Sequence, residues 1–307
     1  MKNKIKIGIV GLGNLGQACA DIVKERKDEF ELVAIFSRRA VDGTVPLADI
    51  EQYKGKIDVI LACMGSSTDA PIMVPQLAKH FNTIDSFDNH GTLKNFIDGI
   101  RATQGKNVAI VGTGWDPGLF SILRVYMDAF IYRSTTEMFY GTGVSLGHSN
   151  AVREIKGVVD AIQLTIPKQD AVEKVKNNIA VTAHDKQLRV CYVVADTKDH
   201  ARIEKEIKTM PNYFEPYETE VHFVSAEEFA QKYKGRLDHG GQVIVADEQS
   251  QAEFKLTLKS NPYFTACVMV AYSIAAYQMH KEGQTGVFTV ADIAPKYLSF
   301  DDLLHKI

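Results

Sequence analysis

Residues 11–16 read Gly-Leu-Gly-Asn-Leu-Gly, a GxGxxG spacing set between a short apolar strand pattern at 4–10 and a helical pattern at 15–24. In that context each glycine has its own task. Gly11 permits a tight turn, Gly13 lets the backbone approach a pyrophosphate, and Gly16 lets the helix pack close to the strand. N–H groups at the start of the helix, around Asn14 and Leu15, then favour the anion. Glycine turns are common, and alone the motif also fits a structural turn. The strand, the helix and a second strand at 31–36 fall where a βαβ unit requires them, which favours a dinucleotide.

The second strand runs into Ser37-Arg38-Arg39. An NAD site keeps an acid there to accept from the ribose 2′-hydroxyl. A carboxylate would repel a 2′-phosphate, whereas guanidinium groups meet it with charge-assisted, often bidentate hydrogen bonds. The two arginines therefore predict NADP, against the plainer reading of a solvated basic turn.

Two acids come next. Asp88, in SFDNH, and Asp116, in GWDPG, both follow predicted strand ends, and ligands of open α/β sheets bind at the carboxyl ends of strands. Either could equally cap a turn. Trp115 is the only tryptophan, and its place beside Asp116 suits a pocket wall. Arg189, Thr165, His239 and Asn261 each have an ordinary reading as a surface ion pair, a strand threonine, a loop histidine and a helix cap.

The elements that must position these residues change character along the chain. Up to about residue 118, short apolar runs (56–65, 82–88, 107–114) alternate with helical patterns (70–81, 93–104), the signature of a parallel sheet covered on both faces. From 119 onward, longer strands with polar alternation appear, including TTEMFYGTGV, AIQLTIP, LRVCYVVAD and the pair GGQVIVADE and SQAEFKLTLKS. These predict an α+β domain with a mostly antiparallel sheet. Asn261-Pro262 then starts a long apolar helix, to be buried between lobes or against the first sheet.

Bulk properties narrow the classes. The 307 residues carry 45% hydrophobic and 24% charged side chains with net charge −3, which argues against nucleic-acid or anionic-membrane partners. Cys19, Cys63, Cys191 and Cys267 form no CxxC pair, and the nine histidines form no HExxH. No metal site or disulfide framework is expected. The N-terminal segment enters a strand pattern instead of a signal-peptide core, and the apolar stretch 264–277 is too short to span a bilayer. The expected location is cytoplasmic.

GLGNLG, IFSRRA, LACMGSSTD, DSFDNH, TGWDPGLFSI, GHSNAVREIKGV and SNPYFTA occur in order and almost end to end. Together they resemble the meso-diaminopimelate dehydrogenases, NADP-dependent amino-acid dehydrogenases of lysine biosynthesis. The resemblance implies a Rossmann-type doubly wound parallel sheet from 1–118 plus 262–307. It also implies a substrate-binding and dimerisation domain from 119–261, a homodimer, and no metal. It adds Cys63, Gly65, Ser66 and Ser67 to the cofactor site and assigns Asp88 and Asp116 to the reacting amino group. Thr165, Arg189, His239 and Asn261 fall where the family binds the distal L-centre, mainly its carboxylate. The turn 145–149, with Leu146 and Gly147, is implied to reach the reacting end. Tyr140 stands where members often carry Trp, and Leu146 where some carry Gln, which bears on selectivity near the D-centre. Competing readings are a saccharopine- or dihydrodipicolinate-reductase-like enzyme, a broader D-amino acid dehydrogenase, and an NADPH-sensing regulator.

Overall fold

The structure is a computed structural model and describes residues 4–66, 68–103, 105–211 and 213–300. The chain divides into two compact units, Met1–Ile122 with Pro262–Ile307, and Leu123–Asn261.

The first unit opens with β1 (Ile5–Val10), α1 (Asn14–Glu25), β2 (Phe30–Ser37), the two-residue β3 (Val45–Pro46) and β4 (Val59–Ala62). It continues through α2 (Ala70–Ala78), β5 (Asn82–Asp85), α3 (Leu93–Thr103) and β6 (Val108–Val111), and α4 (Leu119–Phe130) runs out of it. In the second unit follow β7 (Thr135–Tyr140), β8 (Gly143–Val144), α5 (Leu146–Arg153), β9 (Val158–Pro167), α6 (Gln169–Lys176), α7 (Ala183–Lys186) and β10 (Gln187–Ala195). That unit ends with α8 (His200–Lys208), β11 (Glu218–Phe223), α9 (Ala226–Lys232), β12 (His239–Ala246) and β13 (Gln251–Leu258). The chain then returns to the first unit through α10 (Asn261–Lys281) and β14 (Gly286–Thr289).

The strands of the first unit form one sheet in the order β14-β6-β5-β4-β1-β2-β3, with parallel pairing throughout. The period of two along each strand decides what covers it. Val59 and Leu61 of β4 join Ile5, Ile7 and Ile9 of β1 in a core with α1 and α10. Ile60 and Ala62 point the other way, into clusters with residues of α2 and α3. A sheet buried on both faces needs apolar residues at successive positions, which is why VILA in β4 shows no alternation. The doubly wound α/β fold expected from the sequence is present. The long apolar helix α10 contributes Ala266, Met269, Val270 and Ala275 to the first sheet's core.

The second unit differs from expectation in detail. Its strands form two sheets rather than one: β11-β10-β9-β8, and the antiparallel β13-β12-β7. Within the first, β10 and β11 pair in parallel. The cause is the connection between them, which passes through α8, since parallel neighbours need a crossover and cannot be joined by a hairpin. Among the described residues, no helix is long and apolar enough to cross a membrane.

Candidate active site

All the parallel strands of the first unit end on one edge, and the loops that leave them carry the candidate residues. The turn after β1 holds Gly11 at φ +97°, where a Cβ would lie 2.5 Å from the Cys63 carbonyl oxygen. A Cβ on Gly16 would strike the Gly11 carbonyl oxygen at 2.0 Å. Gly13 is the opposite case, with nothing within 4 Å of its Cβ position. It is the N-cap of α1, no side chain caps it, and the first turn holds no acid. An open backbone surface with helix N–H groups and no competing carboxylate fits a pyrophosphate. Asn14 and Leu15 begin that helix.

Ser37 ends β2, and its Oγ accepts the Arg39 N–H at 3.1 Å. Arg38 is 62% exposed at its side chain and pairs with Asp69 at 2.5 Å. Ser37 and Arg38, with Pro46, Leu47 and Ala48, line an open depression of about 380 Å³. A cation bordering such a depression suits a 2′-phosphate, with Asp69 as a competing partner of Arg38. Beyond β4, the Cys63 side chain is buried against Cys19 with the sulfurs 3.6 Å apart; its carbonyl faces Gly11 and its Cβ lies against Gly16. Gly65 is exposed and Ser66 half-buried. Ser67 lies outside the described residues.

The acids come further along the same edge. The Asp88 N–H donates to Ser66 Oγ at 3.3 Å, and its side chain belongs to an exposed stretch. Asp116 is buried, with its side chain only 1% exposed, and His90 Nε2 lies 3.8 Å from its Oδ2. Trp115 is buried beside it and packs edge-on to Phe120 at 5.5 Å. A loop pair holding one buried and one exposed carboxylate can bind an ammonium and take up a proton.

In the second unit the ladder register assembles the cluster. Arg189 of β10 is paired with Thr165 of β9, and Thr165 with Gly143 of β8. Gly143 in turn lies against His239, whose Cα would be 2.4 Å from a Cβ there. The Arg189 guanidinium, 4% exposed as a residue, donates to Thr165 Oγ1 and stacks over Tyr217 at 4.3 Å. Its Nε has no hydrogen-bond partner, and the side chains that act on its charge are Tyr217, which also hydrogen-bonds it, Tyr140 and Cys191, with no carboxylate among them. Burial lowers its affinity for its own proton. Burial, reinforced by the positive Arg189, also pushes His239 down to about 4 and His148 down to about 3. Both rings are neutral at pH 7, which leaves one buried cation among neutral donors.

Tyr140 ends β7 opposite Gly241, close enough to Arg189 to act on its charge. The Asn261 N–H donates to the Leu237 carbonyl, on the segment leading into His239. Residues 145–149 are not a turn, as the sequence suggested, but the start of α5 with Ser145 as N-cap. The Ser149 N–H and Oγ both return to the Ser145 carbonyl, at 2.9 and 2.6 Å, and these bonds commit the segment to a helix. Gly147 sits exposed in the first turn, while Leu146 packs against the apolar cluster of Val144 and Leu164.

Residues 114–260 match the family described as Diaminopimelic acid dehydrogenase C-terminal domain. A meso-diaminopimelate D-dehydrogenase from Ureibacillus thermosphaericus is 44% identical, over 95% of this chain and 94% of the relative. The chain belongs to the meso-diaminopimelate D-dehydrogenase family. Among solved structures, the Corynebacterium glutamicum diaminopimelate dehydrogenase in complex with diaminopimelate is 41% identical, with a TM-score of 0.93, covering 98% of this chain and 97% of that one. An engineered D-amino acid dehydrogenase bound to NADP⁺ is 39% identical, with a TM-score of 0.90 and 98% of each chain covered.

In this member of the family, several residues near the candidate site escaped the sequence reading. Asp69 holds Arg38, His90 approaches Asp116, and Asp85 is buried between their loops. Tyr217 and His148 complete the surroundings of Arg189. Asp85 and His90 belong to the quoted DSFDNH segment, so the motif pointed to them without distinguishing their roles.

Proposed function

We propose that this chain catalyses the NADP-dependent, reversible oxidative deamination of the D-centre of meso-2,6-diaminopimelate. The products are ammonia and L-2-amino-6-oxopimelate, which cyclises to tetrahydrodipicolinate. The observation that carries the reading is Arg189, a buried guanidinium with an unpartnered Nε and no carboxylate of its own. A buried cation left in that state is costly unless an anion from outside completes it. A carboxylate is the planar, bidentate group that a guanidinium fits best. Thr165 and His239 flank it as neutral donors, and Asn261 completes the set assigned to the distal L-centre; Tyr140, like Leu146, bears on selectivity near the D-centre.

Asp88 and Asp116 are assigned to the reacting amino group, with Trp115 as a wall and Leu146 and Gly147 at the reacting end. One carboxylate oxygen holds the ammonium and takes its proton, so that the nitrogen lone pair can assist departure of the hydride. NADP⁺, held by Gly11, Gly13, Asn14, Leu15, Gly16, Ser37, Arg38, Arg39 and the loop 63–67, supplies the hydride acceptor when bound. The first unit is therefore read as the dinucleotide-binding domain and the second as the substrate domain.

The second unit also carries exposed apolar residues on and just after α4, namely Val125, Tyr126, Phe130 and Tyr132. Such a strip favours a homodimer, testable by light scattering of the eluting protein. A cytoplasmic location accords with this biosynthetic reading. The decisive assay follows NADPH absorbance with meso-, LL- and DD-diaminopimelate and with simple D-amino acids. Meso-diaminopimelate should be used best and the LL-isomer not at all; turnover of the LL-isomer, or of none of them, overturns the assignment.

A further inference from the structure

The pairing of β5 with β6 covers only Thr83 with Ala109 and Ile84 with Ile110. Past that point the two strands diverge into the loops that carry Asp88 and Asp116, and Gly112 turns away at φ +67°. Asp85, the last residue of β5, takes over where the ladder stops. Its carbonyl accepts both the N–H and the Oγ1–H of Thr113, each at 2.8 Å. Its carboxylate Oδ1 accepts the Phe87 N–H at 2.9 Å and the Gly112 N–H at 3.3 Å. One residue thus bonds the loop 86–90 and the loop 112–118 together.

An aliphatic side chain in the same place would leave the Phe87 and Gly112 N–H groups without their acceptor, a cost that keeps a carboxyl in this buried position. Asp85 is 1% exposed, and its Oδ2 has no partner. An orphaned buried oxygen is tolerated where the other oxygen holds something that must not move. We propose that Asp85 is a positioning residue whose Oδ1 locks the loop of Asp88 to the loop of Asp116, fixing the spacing of the two acids. The proposal rests on the reading of those acids given above and adds a residue outside the sets assigned to substrate and cofactor.

Burial pushes the Asp85 carboxyl up to about 7, towards its neutral form. A neutral amide is therefore a close substitute, and Asp85→Asn keeps the Oδ1 acceptor. Asp85→Ala removes it. If the acceptor sets the geometry of the acids, Asp85→Ala should lower kcat for diaminopimelate by about 10²-fold, the scale of a 1 Å misplacement. NADPH affinity should hold in both variants, and Asp85→Asn should restore kcat to within a few-fold. Amide hydrogen exchange at Phe87 and Gly112 should quicken in Asp85→Ala and remain slow in Asp85→Asn. Two outcomes overturn the proposal: Asp85→Ala with near-normal kcat, or Asp85→Asn as impaired as Asp85→Ala. If the unaltered protein fails to oxidise diaminopimelate, the reading of the acids fails. The two-loop clamp is then judged on the exchange measurement, and unchanged protection in Asp85→Ala sinks it.

Discussion

Two regions of this molecule suit anions, by opposite means. At the carboxyl edge of the parallel sheet the work falls to exposed backbone and surface cations: Gly13, the start of α1, and Arg38 beside Arg39. In the second unit one guanidinium, Arg189, is buried among neutral histidines and a tyrosine. The first arrangement costs little when empty, because water solvates it. The second is under electrostatic strain until an anion arrives, and so it discriminates more sharply.

That contrast is broken most directly at Arg189. Removing one member of a buried hydrogen-bonded charge pair costs about 2–5 kcal/mol. Arg189→Ala should therefore raise KM for diaminopimelate by about 10²-fold or more while the Kd for NADPH holds. The same strain predicts that Arg189→Met leaves the melting temperature of the ligand-free protein unchanged or higher, since apolar replacements of buried charges are often stabilising. A large fall in melting temperature would show that Arg189 is already satisfied without substrate.

The surface region should respond to charge with smaller effects. Hydrogen bonds to charged groups are worth about 1.5–3 kcal/mol. Replacing Arg38 and Arg39 together by Ala should weaken NADPH binding by about 10- to 100-fold and NADH binding hardly at all. Equal losses for both cofactors, measured by fluorescence titration, would remove the arginines from 2′-phosphate recognition.

Acid should separate the two units by sign. His239 and His148 protonate at about 4 and 3 in the fold, against about 6.5 when unfolded. Below pH 6.5 the unfolded chain binds more protons, so their contribution is present above that pH and is lost as pH falls towards 4. The slope is at most about 1.4 kcal/mol per pH unit for each histidine. Asp85 works the other way, because its raised value makes the folded state the better proton binder between about 4 and 7. Its contribution is present at low pH and is lost as pH rises through 7. Urea midpoints at pH 7.5 and 5.5 should show His239→Asn flattening the loss on acidification and Asp85→Asn steepening it. A smaller effect is expected at Asp69, whose exposed pairing with Arg38 is worth about 0.2–1 kcal/mol. Asp69→Ala should tighten NADPH binding by a few-fold and leave NADH binding alone.

The two regions also differ in how visible they are in the sequence. The glycine turn and the arginines are local: their spacing along a few residues is their geometry, and βαβ periodicity frames them. The alternating apolar runs likewise announce the parallel sheet, because burial on both faces leaves no other pattern. The Arg189 cluster is non-local. Thr165, Arg189 and His239 meet only through the register of β8, β9, β10 and β12, and no single stretch of chain encodes that register. Family resemblance named those residues, but their burial, the missing counter-charge and the neutral histidines needed coordinates. Short elements escaped for another reason. GVFT of β14 is only four residues long and half-buried, too brief for a period to be read. SLGHS resembled a turn because of its glycine, and the bonds that Ser149 makes back to Ser145 turn it into a helix start.

The central claim is that Arg189 receives the distal carboxylate of the substrate. D-lysine carries the same D-centre and a distal amine without that carboxylate, so the preference for meso-diaminopimelate over D-lysine isolates the interaction. In the unaltered protein that preference in kcat/KM should be about 10²-fold or greater, the size of a lost buried charge pair. In Arg189→Met it should collapse to within a few-fold. A preference that survives undiminished in the variant would contradict the account.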